Sequence, residues 1–384
     1  MGLSLSGHWV LLGALSLSAG LIALLIKPAR ALGWVDVPST RKHHREPVPL
    51  VGGIAMCAAF CLSVPLLPAQ PRNYPVLLAG MALLTLVGLY DDLRSTRPAT
   101  RFLLQAGVIL LMALVSDGVL DHLGDLFGTG AIKLEGFAVL FTLFGVIGVI
   151  NALNMIDGLD GLAGGMALVA SGWLIVLCLN ARVPDPGDIG ALLVLVMAIA
   201  GFLAYNLRHP WRAFATVFMG DSGSTMLGFV LSWFMVHLSQ GDQAAMAPMT
   251  AVWILALPLM DTVAVMIRRI RAGESPFTAD RQHLHHLLLG RGLSDGRVTA
   301  IMLVIASLTG AVGVAAIWLE VPEYVQFYTF LTVFLLYYRT TTGVWMEWKT
   351  AALSAGPLSD RRHDPLRADP DPSLLHPAPR QNHK

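Results

Sequence analysis

Residues 137–179 read FAVLFTLFGVIGVINALNMIDGLDGLAGGMALVASGWLIVLCL. Two long apolar runs flank a short polar segment, and Asp157 and Asp160 are the only charged residues in the stretch. An apolar run of about 20 residues is long enough to cross the hydrocarbon core of a bilayer as an α-helix. The stretch therefore predicts two membrane-spanning helices joined by an acidic connector at one surface of the membrane.

The whole chain has the same apolar character. Hydrophobic residues make up 55% of its 384 residues, whereas Asp, Glu, Lys and Arg together reach 13%. A soluble domain carries about 25% charged residues, and disordered chains are richer still in polar and charged residues. With a net charge of only +1, nucleic acid is not an expected partner. The composition predicts an all-α integral membrane protein that resides in a lipid bilayer.

The apolar runs predict a polytopic helical bundle of about eleven transmembrane helices within residues 1–340. A polar tail, residues 341–384, is expected to be disordered and cytoplasmic. The predicted spans lie near residues 8–26, 51–67, 75–90, 102–116, 137–153, 158–179, 189–205, 216–237, 245–267, 298–318 and 321–338.

The distribution of basic residues predicts the orientation of the bundle. If the N-terminus is outside, 23 of the 26 Lys and Arg residues fall in segments on the inner side. Cytoplasmic loops carry such an excess of basic residues. The sequence therefore predicts an outside N-terminus, a cytoplasmic C-terminus and cytoplasmic loops that contain most of the polar clusters.

Two of these clusters are acidic. Asp91 and Asp92 end the third span, where an adjacent pair of carboxylates suits Mg²⁺ binding or proton abstraction, although a solvated helix end is the simpler alternative. Asn154, Asp157 and Asp160 are spaced i, i+3, i+6, which predicts one helical face with oxygen ligands for a hard cation. The alternative for this second cluster is a plain polar connector.

Three further clusters have other compositions. Residues 218–224 (FMGDSGS) place Asp221 among small residues at the start of a span, which suits a metal that bridges phosphates, or a helix cap. Residues 280–286 (DRQHLHH) offer cationic donors for an anionic substrate, and basic residues 41–45 either do the same or mark the membrane surface. Asp261, inside the ninth run, is an intramembrane acid whose partner the sequence does not identify.

These clusters share one predicted membrane face. Acids suited to Mg²⁺, glycine turns suited to phosphate and a His/Arg donor cluster are the parts that phosphoryl transfer needs. An enzyme embedded in the membrane has reason to perform this chemistry when one substrate is itself a lipid.

The sequence resembles the polyprenyl-phosphate N-acetylhexosamine-1-phosphate transferases over residues 36–292. The motifs that carry the resemblance lie at residues 36–53, 91–92, 151–161 and 218–224. The histidine segment HLHH at 283–286 is similar to the branch that uses N-acetylglucosamine, whereas the peptidoglycan-precursor branch carries three consecutive histidines.

The resemblance implies a reaction and its components. UDP-N-acetylglucosamine and undecaprenyl phosphate would give undecaprenyl-diphospho-N-acetylglucosamine and UMP, with Mg²⁺ or Mn²⁺ as cofactor, in the first membrane step of a surface polysaccharide pathway. The site would face the cytoplasm from the bacterial inner membrane, and a second copy of the chain is a further candidate partner. The implied roles are catalytic for Asp91 and Asp92, metal-binding for Asp221 and Asn154, and substrate-binding for Asp157, Asp160, Asn206, Phe218, Arg281, His283, His285, His286, Lys42 and His44.

Several alternatives stay open at this point. The lipid phosphate, with a second pKa of about 6, favours direct attack on the β-phosphorus of the nucleotide, and a route through an aspartyl phosphate is the other mechanism. A sibling transferase would use another UDP-N-acetylhexosamine. An ion-coupled transporter, with Asp261, Asp157 and the histidines as a proton relay, is the alternative from another class.

Overall fold

The computed structural model describes residues 5–37, 46–94, 96–116, 118–208, 212, 214–276 and 282–354. A two-residue antiparallel ladder joins β1 (Val35–Asp36) to β2 (Val48–Pro49), and the other regular elements are helical. The α-helices are α1 (Leu5–Ala31), α2 (Gly52–Ser63), α3 (Tyr74–Arg94), α4 (Pro98–Val115), α5 (Ala138–Ile156), α6 (Leu162–Asn180), α7 (Pro186–Asn206), α8 (Gly220–Ser239), α9 (Pro248–Ile254), α10 (Ala256–Arg271), α11 (Leu284–Gly290), α12 (Asp295–Trp318) and α13 (Glu323–Ser354).

The helices make the chain a polytopic membrane protein, as predicted. Within the described part of the chain, seven helices are long and apolar enough to cross a bilayer, namely α1, α3, α4, α5, α6, α7 and α12. Taken together, α9 and α10 are also long and apolar enough to form one span, with a bend of 79° between the two helices. Every predicted span coincides with a helix or with this pair, but α2, α8 and α13 are not among the seven. The count of eleven therefore stays a prediction.

The acidic connector departs from its expected geometry. Helix α5 ends at Ile156 and α6 begins at Leu162, so Asn154, Asp157 and Asp160 do not share one helical face. Gly161 adopts a left-handed backbone conformation, with φ of 78°, that interrupts the helix. The expectation of a single face was wrong, yet the three side chains still border one cavity.

Helix α8 lies at the centre of the bundle. It packs against α2, α3, α5 and α6, and its side chains are buried along most of its length. Two glycines let neighbouring helices approach its first turn, because a Cβ at Gly53 or Gly88 would collide with the backbone of residues 221–223. This close packing brings the end of α3 against the beginning of α8.

The last helix is longer than the sequence predicted. Helix α13 runs to Ser354, so the division expected between residues 340 and 341 falls inside it. Residues 355–384 lie outside the described residues, and a disordered tail there stays a prediction.

Candidate active site

A cavity of about 940 Å³ opens where α3, α5 and α7 end and α8 begins. It brings together residues that are far apart in the sequence. Nine of the predicted site residues border it: Asp91, Asp92, Asn154, Asp157, Asp160, Asn206, Phe218, Asp221 and His286.

Asp92 caps the first turn of α8. Its Oδ1 accepts a hydrogen bond from the backbone N–H of Asp221 at 2.7 Å, and its Oδ2 accepts one from Ser222 at 3.1 Å. The first N–H groups of a helix have no partner within the helix, so the Asp92 carboxylate satisfies two of them. Its negative charge also interacts favourably with the positive end of the helix dipole. Asp92 therefore fixes where Asp221 stands.

Asp91 is buried beside Asp221 and two donors. The Thr96 backbone N–H donates to Asp91 Oδ1 at 2.7 Å, and the Thr96 hydroxyl donates to the same oxygen. The Arg101 guanidinium lies 3.2 Å from Asp91 Oδ2 and 3.7 Å from Asp221 Oδ2, so it joins the two carboxylates. Sequence reasoning missed Arg101 and counted it only as a cation at the membrane surface.

The residues around Asp221 offer oxygen ligands. Asn154 Nδ2 donates to Asp221 Oδ1 and, at 2.9 Å, to Ser224 Oγ. A half-turn of the amide would present the Asn154 oxygen to the same place. Among the described residues, no group of three or more His, Cys, Asp or Glu side chains is arranged to hold a metal. Since Mg²⁺ is usually bound by one or two carboxylates with substrate phosphates and water completing its shell, these residues fit Mg²⁺.

Asp157 lies in the connector just beyond α5 and is half-buried. Removal of its carboxyl from water, together with the nearby charges of Asp221, Asp160 and Asp92, raises the pKa of Asp157 to about 8. The Asp157 carboxyl therefore holds its proton at neutral pH in the absence of a bound cation.

Asp160 belongs to an ion-pair chain at the rim. Its Oδ2 accepts from Arg208 Nε at 2.6 Å and from the backbone N–H of Ala215 at 3.1 Å. Arg208 also pairs with Asp295 at 2.7 Å, and its guanidinium lies over the Phe214 ring. The sequence indicated Asp160 but not Arg208 or Asp295, since only the fold brings these three together.

Asn206 links the connector to the segment before α8. Its Oδ1 accepts from the backbone N–H of Gly161 at 2.7 Å, and its Nδ2 donates to the carbonyl of Val217 at 2.9 Å. The adjacent Phe218 is held through its backbone, which pairs with Pro49 and Gly52. Asn206 thus positions one wall of the cavity.

The three histidines of the 283–286 segment occupy different environments. His286 borders the cavity, and its ring contacts that of His285. The buried His285 ring packs against the backbone of Gly158, where any side chain would collide with it. His283 is also buried and turns away from the cavity, with its Nδ1 at 2.8 Å from Asp261 Oδ2.

Asp261 therefore anchors the histidine segment. Its Oδ1 also accepts from the backbone N–H of Leu284 at 3.0 Å and from the Tyr337 hydroxyl at 2.7 Å. Two turns further along α10, the Arg268 guanidinium donates to the carbonyl of Gln282 and to the hydroxyl of Thr341. Thr341 lies one turn beyond Tyr337 in α13. These contacts identify the partner that the sequence left open and give Asp261 a role that needs no proton relay.

Three predicted substrate-binding residues, Arg281, Lys42 and His44, lie outside the described residues. Their roles stay predictions.

The structure is that of a polytopic membrane protein with an acid-lined cavity at one end of its helices. The sequence profile of glycosyl transferase family 4 matches residues 74–239. A Yersinia pestis protein named undecaprenyl-phosphate alpha-N-acetylglucosaminyl 1-phosphate transferase is 37% identical over 323 residues, or 83% of this chain and 87% of that protein.

Two further relatives carry the same name. The one from Pasteurella multocida is 36% identical over 86% of this chain and 92% of its own length. The one from Escherichia coli K12 is 34% identical over 83% and 86%. The chain belongs to glycosyl transferase family 4, which confirms the resemblance seen in its motifs.

Proposed function

We propose that the protein transfers N-acetylglucosamine 1-phosphate from UDP-N-acetylglucosamine to undecaprenyl phosphate and releases UMP, in the first membrane step of a surface polysaccharide pathway. The observation that carries the proposal is the cavity bordered by Asp91, Asp221 and Asn154, in which Arg101 joins the two carboxylates. The names of relatives that are 34–37% identical over most of the chain support the substrates.

Asp221 and Asn154 would hold Mg²⁺, with Mn²⁺ as the alternative ion. When bound, the ion would neutralise charge on the diphosphate and on the departing UMP. Arg101 lies between Asp91 and Asp221 and keeps these two carboxylates close together despite their like charges.

The chain's own residues would then orient two phosphates for an in-line displacement. A phosphate monoester is largely a dianion near neutral pH, since its second pKa is about 6. An oxygen of the lipid phosphate therefore attacks the β-phosphorus directly, forming one P–O bond while the bond to UMP breaks. Asp91, fixed by Thr96, would position the acceptor, and His286 would face the sugar phosphate.

The cavity would open to the cytoplasm from the inner membrane, with eleven spans in total. The distribution of Lys and Arg along the sequence supports this orientation. Arg30 and Arg208, which border the same cavity, are among the basic residues counted on that side.

A donor panel tests the proposal. The purified full-length protein is offered undecaprenyl phosphate, Mg²⁺ and one of several labelled UDP-N-acetylhexosamines. We expect organic-extractable label from UDP-N-acetylglucosamine and stoichiometric UMP. Label from another UDP-sugar alone would identify a sibling transferase, and no lipid product from any donor would refute the proposal.

Mg²⁺ binding should release protons at neutral pH. Because the pKa of Asp157 is about 8, roughly 90% of this carboxyl is protonated at pH 7. A cation at Asp221 favours the ionised form, so the apparent Mg²⁺ affinity should fall as the pH falls below 8. Calorimetric titrations in Tris and HEPES, whose ionisation enthalpies differ, measure the released proton.

The Asp157→Asn variant provides the control for this titration. It should bind Mg²⁺ with less proton release at pH 7 than the parent, whereas Asp242→Asn, at an exposed acid at the opposite end of the bundle, should behave like the parent. The folded protein holds the Asp157 proton up to about pH 8, whereas the unfolded chain loses it near 3.8. Asp157→Asn should therefore raise the Tm of the metal-free protein at pH 8. Equal heats in both buffers for the parent protein would contradict the prediction.

Loosening the anchor at Asp261 should weaken donor binding. The Asp261 carboxylate accepts hydrogen bonds from three donors, whereas an asparagine at this position has a single acceptor oxygen. We expect Asp261→Asn to raise KM for the UDP-sugar about tenfold with a much smaller change in kcat. Tyr337→Phe removes one donor and should raise KM about threefold. Initial rates against donor concentration measure both effects.

The matched control is Tyr328→Phe, at an exposed tyrosine of the same helix. It should leave both kinetic parameters unchanged. If Asp261→Asn lowers kcat and leaves KM unaltered, the anchor does not act through donor binding.

A further inference from the structure

A second cavity, of about 590 Å³, lies at the opposite end of the bundle. It is bordered by the last turns of α4, α6 and α8 and by the first turns of α5 and α7. His237 borders it, 16 residues after Asp221 on α8, which corresponds to about 24 Å along the helix axis. The second cavity is therefore separate from the candidate active site.

Asp188 is the key polar group of this cavity. It stands in the first turn of α7 and is only 2% exposed. Its Oδ2 lies 3.2 Å from His237 Nε2, whereas its buried Oδ1 has no hydrogen-bond partner among the described residues. Burying a carboxylate oxygen without a donor is costly. The oxygen therefore points to a donor supplied by a ligand.

The neighbouring polar groups are largely occupied by the protein itself. Asp185 caps α7 through the backbone N–H of Gly187 at 2.7 Å, and the Ser232 hydroxyl donates to the carbonyl of Gly228 at 2.7 Å. The exception is the buried Nε1 of Trp233, which has no acceptor within the described part of the chain. Among the described wall residues, one buried acceptor and one buried donor therefore lack a partner.

The composition of the wall selects the class of ligand. Its acidic side chains outnumber the basic ones, which favours a cationic group, and its wall also contains buried apolar side chains. An ammonium group on an amphiphile would supply an N–H donor to Asp188 and an apolar chain to the apolar part of the wall. The acids are Asp121, Asp185, Asp188 and Asp242, the bases are Arg72 and His237, and the apolar wall includes Ile109, Met112, Val146 and Phe229.

We propose that this cavity binds a phospholipid with an ethanolamine headgroup. The primary ammonium donates to Asp188 Oδ1, and Trp233 Nε1–H donates to a phosphate or ester oxygen. An acyl chain lies along the apolar wall. The ammonium must carry N–H groups, because a trimethylated one cannot donate a hydrogen bond.

Competition between matched lipids tests the proposal. The full-length protein in detergent is mixed with equimolar phosphatidylethanolamine, phosphatidylcholine and phosphatidylglycerol of identical acyl chains, and bound lipid is counted by native mass spectrometry. We expect phosphatidylethanolamine to be retained about fivefold over phosphatidylcholine, which matches one buried hydrogen bond. Asp188→Asn should remove this preference, and Trp233→Phe should lower retention about threefold.

Asp242→Asn is the control, since Asp242 borders the same cavity but is exposed. It should keep the preference for phosphatidylethanolamine. Sugar-phosphate transfer by Asp188→Asn in detergent shows that this variant is folded. If Asp188→Asn does not fold, lipid retention by the parent protein and by Trp233→Phe tests the proposal. Equal retention of the three lipids by the parent protein, or unchanged retention by Trp233→Phe, would overturn the proposal.

Discussion

Replacing Asp221 with alanine is expected to lower kcat for sugar-phosphate transfer by about a thousandfold or more. Asp221 borders the cavity and is the acidic side chain that contacts Asn154, Arg101 and Asp91. Its carboxylate is the strongest candidate ligand for the cation, because Asp91 accepts hydrogen bonds from Thr96 and Asp92 accepts them from the backbone of α8. The loss should appear in kcat, because the metal acts on the charge that develops on the departing UMP.

The measurement is single-turnover transfer of labelled sugar phosphate by protein in detergent, over a wide range of Mg²⁺ concentrations. Asp242→Ala, an exposed acid at the far end of the bundle, is the matched control and should retain full activity. Size-exclusion profiles of the two variants should coincide, since the Asp221 side chain faces the cavity. Activity of Asp221→Ala within tenfold of the parent would refute the metal-binding role.

Much of the fold could be predicted because membrane helices depend on local composition. Apolar length alone located the helices other than α11, and it predicted the bent pair α9 and α10 as one span. The bend between α9 and α10 can be predicted from Pro258, although apolar composition alone does not indicate it. Pro258 lacks the N–H that would bond the carbonyl of Ile254, and its ring crowds that carbonyl. The helix accordingly breaks at Leu255.

The candidate site was predicted less completely, because many of its contacts cross between helices. Acidic motifs are recognisable locally, so Asp91 and Asp221 stood out in the sequence. Arg101 looked like any basic residue beside a span, and its position between two carboxylates depends on how α4 packs against α3. The same holds for His283, whose motif suggested substrate contact although its partner is Asp261 on α10.

Replacing Asp92 should also have a large effect, because it would disturb Asp221. The side chain of Asp92 accepts two backbone N–H groups at the start of α8. Asparagine has one acceptor oxygen and can retain one of these hydrogen bonds, whereas alanine retains neither. Loss of a helix cap costs about 1 kcal/mol of stability, and a metal ligand displaced by about 1 Å can cost a hundredfold in rate.

We therefore expect a graded series in which Asp92→Asn loses about a hundredfold in kcat and Asp92→Ala about tenfold more. Both variants should need higher Mg²⁺ concentrations for half-maximal activity, because the ligand Asp221 is misplaced. Steady-state rates at several Mg²⁺ concentrations measure both quantities. Asp185, which caps α7 at the other end of the bundle, provides matched controls. Asp185→Ala should lower the Tm and Asp185→Asn, which retains the single capping oxygen, should change it little. Neither should change the Mg²⁺ requirement.

The series separates a positioning role for Asp92 from a role as general base. A base that takes a proton from the acceptor is lost equally in asparagine and alanine, so the two variants would then be equally inactive. A base would also leave the Mg²⁺ requirement unaltered, since Asp221 would not move. The acceptor phosphate is already largely ionised near neutral pH, and both oxygens of Asp92 are occupied by the backbone of α8. These two facts favour a positioning role for Asp92, and equal inactivity with an unchanged Mg²⁺ requirement is the result that would contradict this prediction.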